Sequence, residues 1–200
     1  MEKFDLVVIG AGPAGYAAAM RSLDFKKKTL LIEKDTVGGA GVTNGALSSK
    51  TWWELSRDAA SFRKNLKRFN IEVPSINYKE IQHEVQKAVE ERKGLLEEHM
   101  QMMKESHLQD LLTFKNGKAR LLSANEIEIV TGEGSSQVVW GDYIILATGS
   151  RPRYLPELPI DEKIVMTSDG IESLEEFPES MVIVGAGVIG CEYATIFSGF

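Results

Sequence analysis

Two glycine-rich runs stand out as places where backbone rather than side chain would meet a ligand. They are Gly10-Ala11-Gly12-Pro13-Ala14-Gly15 and Gly185-Ala186-Gly187-Val188-Ile189-Gly190. Each directly follows an apolar run, Asp5-Leu6-Val7-Val8-Ile9 in the first case and Met181-Val182-Ile183-Val184 in the second. That context gives the Gly-x-Gly-x-x-Gly spacing its meaning. The first glycine permits a tight turn out of a strand, and the second lets backbone approach a pyrophosphate. The third lets the following helix pack closely on the strand. Free N–H groups at the positive end of that helix would then face phosphates. Gly10, Gly12, Pro13, Ala14 and Gly15 are therefore expected to hold one dinucleotide, and Gly185, Gly187 and Gly190 a second. Glu33 closes the apolar run Thr29-Leu30-Leu31-Ile32, where a carboxylate accepts hydrogen bonds from ribose hydroxyls. Lys34 beside it is counted in the same site.

Other chemistry is sparse. Cys191 is the only cysteine, so no disulfide can form within the chain. Its place after the second glycine run reads as a small buried helix residue rather than a reactive thiol. His83, His99 and His107 fall in or just after one helical stretch without metal-ligand spacing, so they read as solvated helix residues and no metal is expected. The formal charge of −6, with no basic stripe, argues against nucleic acid as a partner. No apolar run is long enough to span a bilayer. A strand-like run from Phe4 leaves no room for a targeting segment, and the expected compartment is the cytoplasm.

The elements that must position these residues can be read from periodicity. Asp5–Ile9, the alanine-rich Tyr16–Leu23 and Thr29–Ile32 fit one strand–helix–strand unit. Thr51 to about Leu66 reads as a helix, Ile71–Asn77 with Pro74 as a connector, and Tyr78 to about Ser106 as a long amphipathic helix. In the latter, Ile81, Val85, Ala88, Val89, Leu95, Leu96 and Met103 recur at helical spacing, with Gly94 as an interruption. Leu111–Phe114, Lys118–Leu122, Ile127–Val130, Val138–Trp140 and Tyr143–Leu146 read as strands, separated by the turn signals Asn116-Gly117 and Gly132-Glu133-Gly134. Pro152, Pro156 and Pro159 mark a linker. The expectation is an α/β chain: a Rossmann-like domain over 1–150, with a parallel sheet, a β-meander and a helical insertion over 51–107. A linker over 151–180 and the incomplete start of a second Rossmann-like domain over 181–200 follow. The second strand of that last unit would lie past Phe200, so the chain reads as the front portion of a longer polypeptide.

Between the loops lies Gly38-Gly39-Ala40-Gly41-Val42-Thr43-Asn44-Gly45-Ala46-Leu47-Ser48-Ser49-Lys50, and after the last strand comes Thr148-Gly149-Ser150. Four motifs in this order make the whole chain resemble the FAD-dependent pyridine nucleotide-disulfide oxidoreductases, of the lipoamide dehydrogenase and soluble transhydrogenase type. In that family the middle segment carries two cysteines and ends Pro-Ser-Lys. Here the cysteine positions are Gly41 and Ala46, and Ser48 stands where proline is usual. The resemblance implies FAD at the first loop, with contacts from Gly12, Glu33, Gly39, Ala40, Gly41, Lys50, Ala119 (in Gly117-Lys118-Ala119), Thr148 and Gly149. It implies NAD or NADP at the second, the residue that chooses between them lying beyond Phe200.

It also implies a homodimer in the complete protein and a catalytic pair, Lys50 beside the flavin N5 and Glu192 holding it. Disulfide exchange needs an attacking thiolate and a resolving thiol, and glycine and alanine supply neither. The expected function is therefore transfer of hydride from NAD(P)H to FAD. Electrons would pass on to a small non-disulfide acceptor, either a second nicotinamide or a quinone. The alternative is a dihydrolipoamide dehydrogenase-like protein that has lost disulfide turnover and serves as a flavin- or nucleotide-binding regulator.

Overall fold

The computed structural model describes residues 1–69, 71–72, 75–106 and 108–200. Six strands form one sheet: β1 (Glu2–Ile9), β2 (Thr29–Glu33), β3 (Leu112–Asn116), β4 (Lys118–Leu121), β5 (Glu126–Val130) and β6 (Ser136–Leu146), in the order β3-β2-β1-β6-β5-β4. β3, β2, β1 and β6 run parallel, and β4, β5 and β6 are joined as antiparallel neighbours. This is the expected parallel sheet with a meander. β1 is central, so both of its faces are covered. Alternation along the strand sends Val7 and Ile9 into a core with Phe4, Leu30, Ile32, Ile127, Ile129 and Val139. Val8 goes to the opposite face, with Ala11, Ala19, Leu23, Leu31, Met100 and Leu112. Each fully buried Val, Leu, Ile, Phe or Met side chain contributes about 1.5–3 kcal/mol, which is why an unbroken apolar run suits this position.

The helices are α1 (Pro13–Asp24), the short α2 (Gly39–Val42), α3 (Ala46–Phe69), α4 (Tyr78–Glu105) and α5 (Val188–Gly199), with a 3-10 helix at Ser168–Ser173. Two compact units emerge, one of residues 1–41 and 92–150, the other of 42–91 and 151–200. The sheet with α1 and the end of α4 makes the first. The second has its own core of Trp52, Tyr78, Val85, Ile171, Tyr193 and Ile196.

Several local expectations change. Val138–Trp140 and Tyr143–Leu146 form one strand rather than two. β6 changes partner midway, pairing Ser136–Trp140 with β5 and Val139–Leu146 with β1, and Gly141 lets it pass Val7, where a Cβ would come within 2.7 Å of Cγ2. Gly94 does not interrupt α4, because helical hydrogen bonding tolerates a glycine at a cost of about 1 kcal/mol. α3 starts at Ala46, before Thr51. Met181–Val184 is not a strand: it pairs with no other strand among the described residues, and Val182 and Val184 are 90% and 76% exposed. An extended run becomes a strand only through ladder hydrogen bonds. Pro74 lies outside the described residues.

Candidate nucleotide sites and the Lys50–Glu192 pair

At the end of β1, Gly10 takes φ +104°, and a Cβ there would sit 2.2 Å from the Ala147 carbonyl oxygen. The chain can turn only with glycine. A Cβ at Gly15 would lie 1.8 Å from the Gly10 oxygen, so the third glycine sets how closely α1 approaches the strand. Gly12 has open space where a Cβ would be and caps α1 in extended conformation with no side chain filling the cap. Pro13 occupies the first helical turn, where its missing N–H costs nothing. Pro13 and Ala14 are exposed. The remaining N–H groups at this helix end are therefore available to an anion.

Other predicted residues gather at the same loop. The Gly38 N–H donates to the Ala11 carbonyl at 2.9 Å. A Cβ on Gly39 would approach Gly12 Cα to 3.2 Å, and one on Gly41 would approach Pro13 Cγ to 2.3 Å. Ala40, between them, is exposed. The Ala147 N–H donates to Ile9 at 2.8 Å, which brings Thr148 and Gly149 alongside; Gly149 has φ +71° and open space at its Cβ. Glu33 accepts from the Ala11 N–H at 2.6 Å and the Asp35 N–H at 2.9 Å. A carboxylate has about four lone-pair sites, so two remain for hydroxyls. Lys34 reaches Asp35 at 3.1 Å. The Gly117 N–H donates to the Glu33 carbonyl at 2.8 Å, and Ala119 sits half-buried on β4 opposite Ile129.

The second loop repeats the first. Gly185 has φ +118°, a Cβ on Gly190 would lie 2.2 Å from its oxygen, and Gly187 is an uncapped, open N-cap for α5. The Cys191 N–H donates to Gly187 at 3.0 Å, as the Tyr16 N–H does to Gly12 at 2.9 Å.

Lys50 on α3 and Glu192 on α5 form a salt bridge through Nζ and Oε1, with the side chains 63% and 18% exposed. The two helices lie close because Ser56 Oγ donates to the Ile196 carbonyl at 2.7 Å and Arg63 to that of Gly199 at 3.1 Å. Gly199 is needed there, since a Cβ would fall 2.1 Å from Ser56 Oγ.

Cys191 is exposed, not buried. α5 turns Tyr193 and Ile196 inward, and Cys191 stands about 200° from Tyr193 at ~100° per residue. His99 is also not a solvated residue. It is half-buried and hydrogen-bonded through Nδ1 to the Tyr16 hydroxyl, because the buried Met100 beside it brings this stretch of α4 into the α1 core. Burial raises the Tyr16 pKa, opposed by the Arg92 charge. His83 is exposed, and His107 lies outside the described residues. Among the described residues no group of three His, Cys, Asp or Glu is placed for a metal ion, and no helix is long and apolar enough to cross a membrane.

Sequence reasoning passed over Glu172, whose buried Oε1 lacks a hydrogen-bond partner among the described residues, as do Trp52 Nε1 and Tyr78 OH. A glutamate beside the apolar Ile171 gives no periodic signal of burial. Burial raises its pKa, opposed by the Ser48 hydroxyl and the Trp52 indole, neither of which closes a hydrogen bond of ordinary geometry.

A sheet of this order carrying such a glycine turn is a dinucleotide-binding fold of the Rossmann type. The family model described as pyridine nucleotide-disulphide oxidoreductase matches residues 4–200, and the chain belongs to that family. It is 35% identical over 199 residues to the dihydrolipoyl dehydrogenase of Chlamydia pneumoniae, covering 98% of this chain and 41% of that protein. To the soluble pyridine nucleotide transhydrogenase of Hahella chejuensis it is 33% identical over 199 residues, with the same coverage. The crystal structure of LpdA from Mycobacterium tuberculosis superposes with a TM-score of 0.83 at 22% identity, over 100% of this chain and 43% of that one; this likeness shows the fold. The chain thus spans about two fifths of the length of the curated relatives it matches.

Proposed function

We propose that the protein is an FAD-dependent NAD(P)H oxidoreductase whose electrons leave to a non-disulfide acceptor, a quinone or a second nicotinamide. The observation that carries this is the Lys50–Glu192 pair, kept in a chain where the family's two cysteine positions are Gly41 and Ala46. The first loop suits FAD: Gly12 is open and caps α1 without a side chain, Glu33 keeps free lone pairs, and Gly39, Ala40, Gly41, Thr148 and Gly149 surround it. The second loop, Gly185 to Gly190, suits NAD or NADP. When bound, FAD supplies a centre that takes a hydride and gives up electrons to a separate acceptor.

The chain's own residues then have simple roles. Uncapped N–H groups of α1 bind the pyrophosphate, and Glu33 orients the ribose. Lys50 places a positive charge where negative charge arrives, and Glu192 fixes the ammonium. In this reading residues 1–150 form the flavin domain, with a helical insertion over 51–107. Residues 181–200 begin the nicotinamide domain, and the complete protein is a cytoplasmic homodimer.

The likeness to a dihydrolipoyl dehydrogenase together with Gly41 and Ala46 at the cysteine positions supports a second reading, a flavin- or nucleotide-binding regulator that has lost disulfide turnover. Purified protein separates the two. A yellow preparation bleached within seconds by NADH or NADPH, and reoxidised by quinone or thio-NAD, is the expected result. An unbleachable one points to the regulator, and appreciable lipoamide turnover sinks the main proposal.

A further inference from the structure

The aromatic core of residues 42–91 and 151–200 contains a carboxyl that the functions above do not use. Glu172, on the 3-10 helix, is held from α4 by Gln82, whose Nε2 donates to the Glu172 and Leu174 carbonyls at 3.1 Å each. Its buried Oε1 shares the interior with Trp52 Nε1 and Tyr78 OH, all three without hydrogen-bond partners among the described residues. Trp52 is fully buried and its ring lies 5.7 Å from that of Tyr78. Ser48 is also fully buried, its hydroxyl close enough to Glu172 to bias its ionisation. Serine at this position replaces the family's usual proline, so that hydroxyl is a feature of this chain.

The placement relates Glu172 to both members of the ion pair. Ser48 and Trp52 flank Lys50 at two residues on either side, and lie on one face of α3 because they are four apart. Tyr193 follows Glu192 on α5, and its pKa is pushed up to about 12 by burial, by Glu172, and by Glu192 and Asp169. Tyr78 is likewise pushed up to about 12 by burial and by Glu172. The groups related to Glu172 are Ser48 and Trp52 from α3, Tyr78 from α4 and Tyr193 from α5, while Asp169 and Glu192 act on Tyr193. Lys50, between Ser48 and Trp52 in the chain, is paired with Glu192. Burial of the carboxyl outweighs the opposing Ser48 hydroxyl and Trp52 indole, so the Glu172 pKa is raised above its ordinary value.

We propose that Glu172, carrying its proton, is a positioning residue for Lys50: its neutral carboxyl fills the polar space left between Ser48, Trp52 and Tyr78, and so fixes the rotation of α3 that brings Lys50 to Glu192. Loss of that proton places a bare charge in the aromatic core and turns the Ser48–Trp52 face away from it. Lys50, on the other side of the same turns, moves with the helix. The arrangement is intact at low pH and lost as pH rises through the Glu172 pKa, because the folded-state pKa is raised above the ordinary 4.5.

The test uses Trp53→Phe and Trp140→Phe together, which leave Trp52 as the sole indole of the three tryptophans. Neutral carboxylic acids quench a neighbouring indole more than carboxylates do. Trp52 emission is expected to titrate with a midpoint above the ordinary glutamate value, and the NMR signal of the Lys50 ammonium to shift with the same midpoint. Glu172→Gln, neutral and isosteric, should abolish both titrations while leaving the Lys50 signal at its low-pH position. Glu172→Leu should displace that signal even at low pH. The kinetic arm rests on the oxidoreductase reading above. Reduction of bound flavin by nicotinamide should slow about tenfold in Glu172→Leu, with Glu172→Gln restoring the rate and removing its alkaline decline. A Trp52 midpoint at the ordinary value, a titration that persists in Glu172→Gln, or a Lys50 signal and rate indifferent to Glu172→Leu each overturns the proposal. If Glu172→Leu does not fold, the wild-type and Glu172→Gln titrations decide it. Both spectroscopic signals need neither flavin nor nicotinamide, so a colourless protein would defeat the oxidoreductase reading alone.

Discussion

Lys50 separates what a residue does for stability from what it does for chemistry. Its side chain is 63% exposed, and exposed ion pairs are worth about 0–1 kcal/mol. Lys50→Ala should therefore leave the melting temperature almost unchanged. If the residue stabilises charge arriving at a bound flavin, the same substitution should slow nicotinamide-driven bleaching by roughly 10²-fold, the usual loss for one preorganised electrostatic donor. Stopped-flow absorbance and thermal melting on one preparation check both halves. Gly41 teaches a different lesson. A Cβ there would come within 2.3 Å of Pro13 Cγ, so restoring sulfur with Gly41→Cys and Ala46→Cys forces the Pro13 ring or the segment to move. Overpacking of this kind costs about 1–3 kcal/mol. The double variant should melt lower than wild type and show no long-wavelength thiolate–flavin band on reduction. Appearance of that band together with lipoamide turnover would show that the segment still holds reductase geometry.

At the scale of elements, glycine does opposite things in different places. Gly94 lies inside α4 with open space at its Cβ, so Gly94→Ala should raise stability by about 0.5–1 kcal/mol, measurable by urea unfolding. Gly10→Ala meets both a φ of +104° and the Ala147 oxygen; it should lower stability and abolish yellow colour in the purified protein. Periodicity alone distinguishes neither case. Strand and helix existence was legible because β1, α1 and α4 carry clean apolar spacing, and the first loop sat where context demanded. The Met181–Val184 run misled, since its residues have strand character but the described residues offer it no ladder partner. Likewise the Gly141 region reads as a break in sequence yet serves as the point where β6 changes neighbours.

For the molecule as a whole, each compact unit has its own apolar core, and buried titratable groups make stability depend on pH. Tyr78 and Tyr193 have pKa values pushed up to about 12 by burial, against about 10 in an unfolded chain. Below pH 10 both states are protonated and the stabilisation is complete. Between about 10 and about 12 the unfolded state ionises first, so stability falls as pH rises. Urea unfolding should show an alkaline loss on the order of a few kcal/mol, reduced in Tyr193→Phe. A flat profile through that range would mean that the two hydroxyls reach water.

The amino-acid sequence by itself determined the parts whose cause is local. Glycine spacing after an apolar run makes a tight turn into an open helix N-terminus, Gly41 and Ala46 carry no sulfur, and period-two and period-3.6 patterns set the strands and helices. The tertiary structure decided whatever depends on residues far apart in the chain. It brought Gly39–Gly41 and Thr148–Gly149 to the first loop, closed Lys50 onto Glu192 across 142 positions, exposed Cys191, and seated Glu172 among aromatic rings. Burial and pairing are properties of neighbours, and for these residues the neighbours come from distant segments whose approach no local pattern encodes.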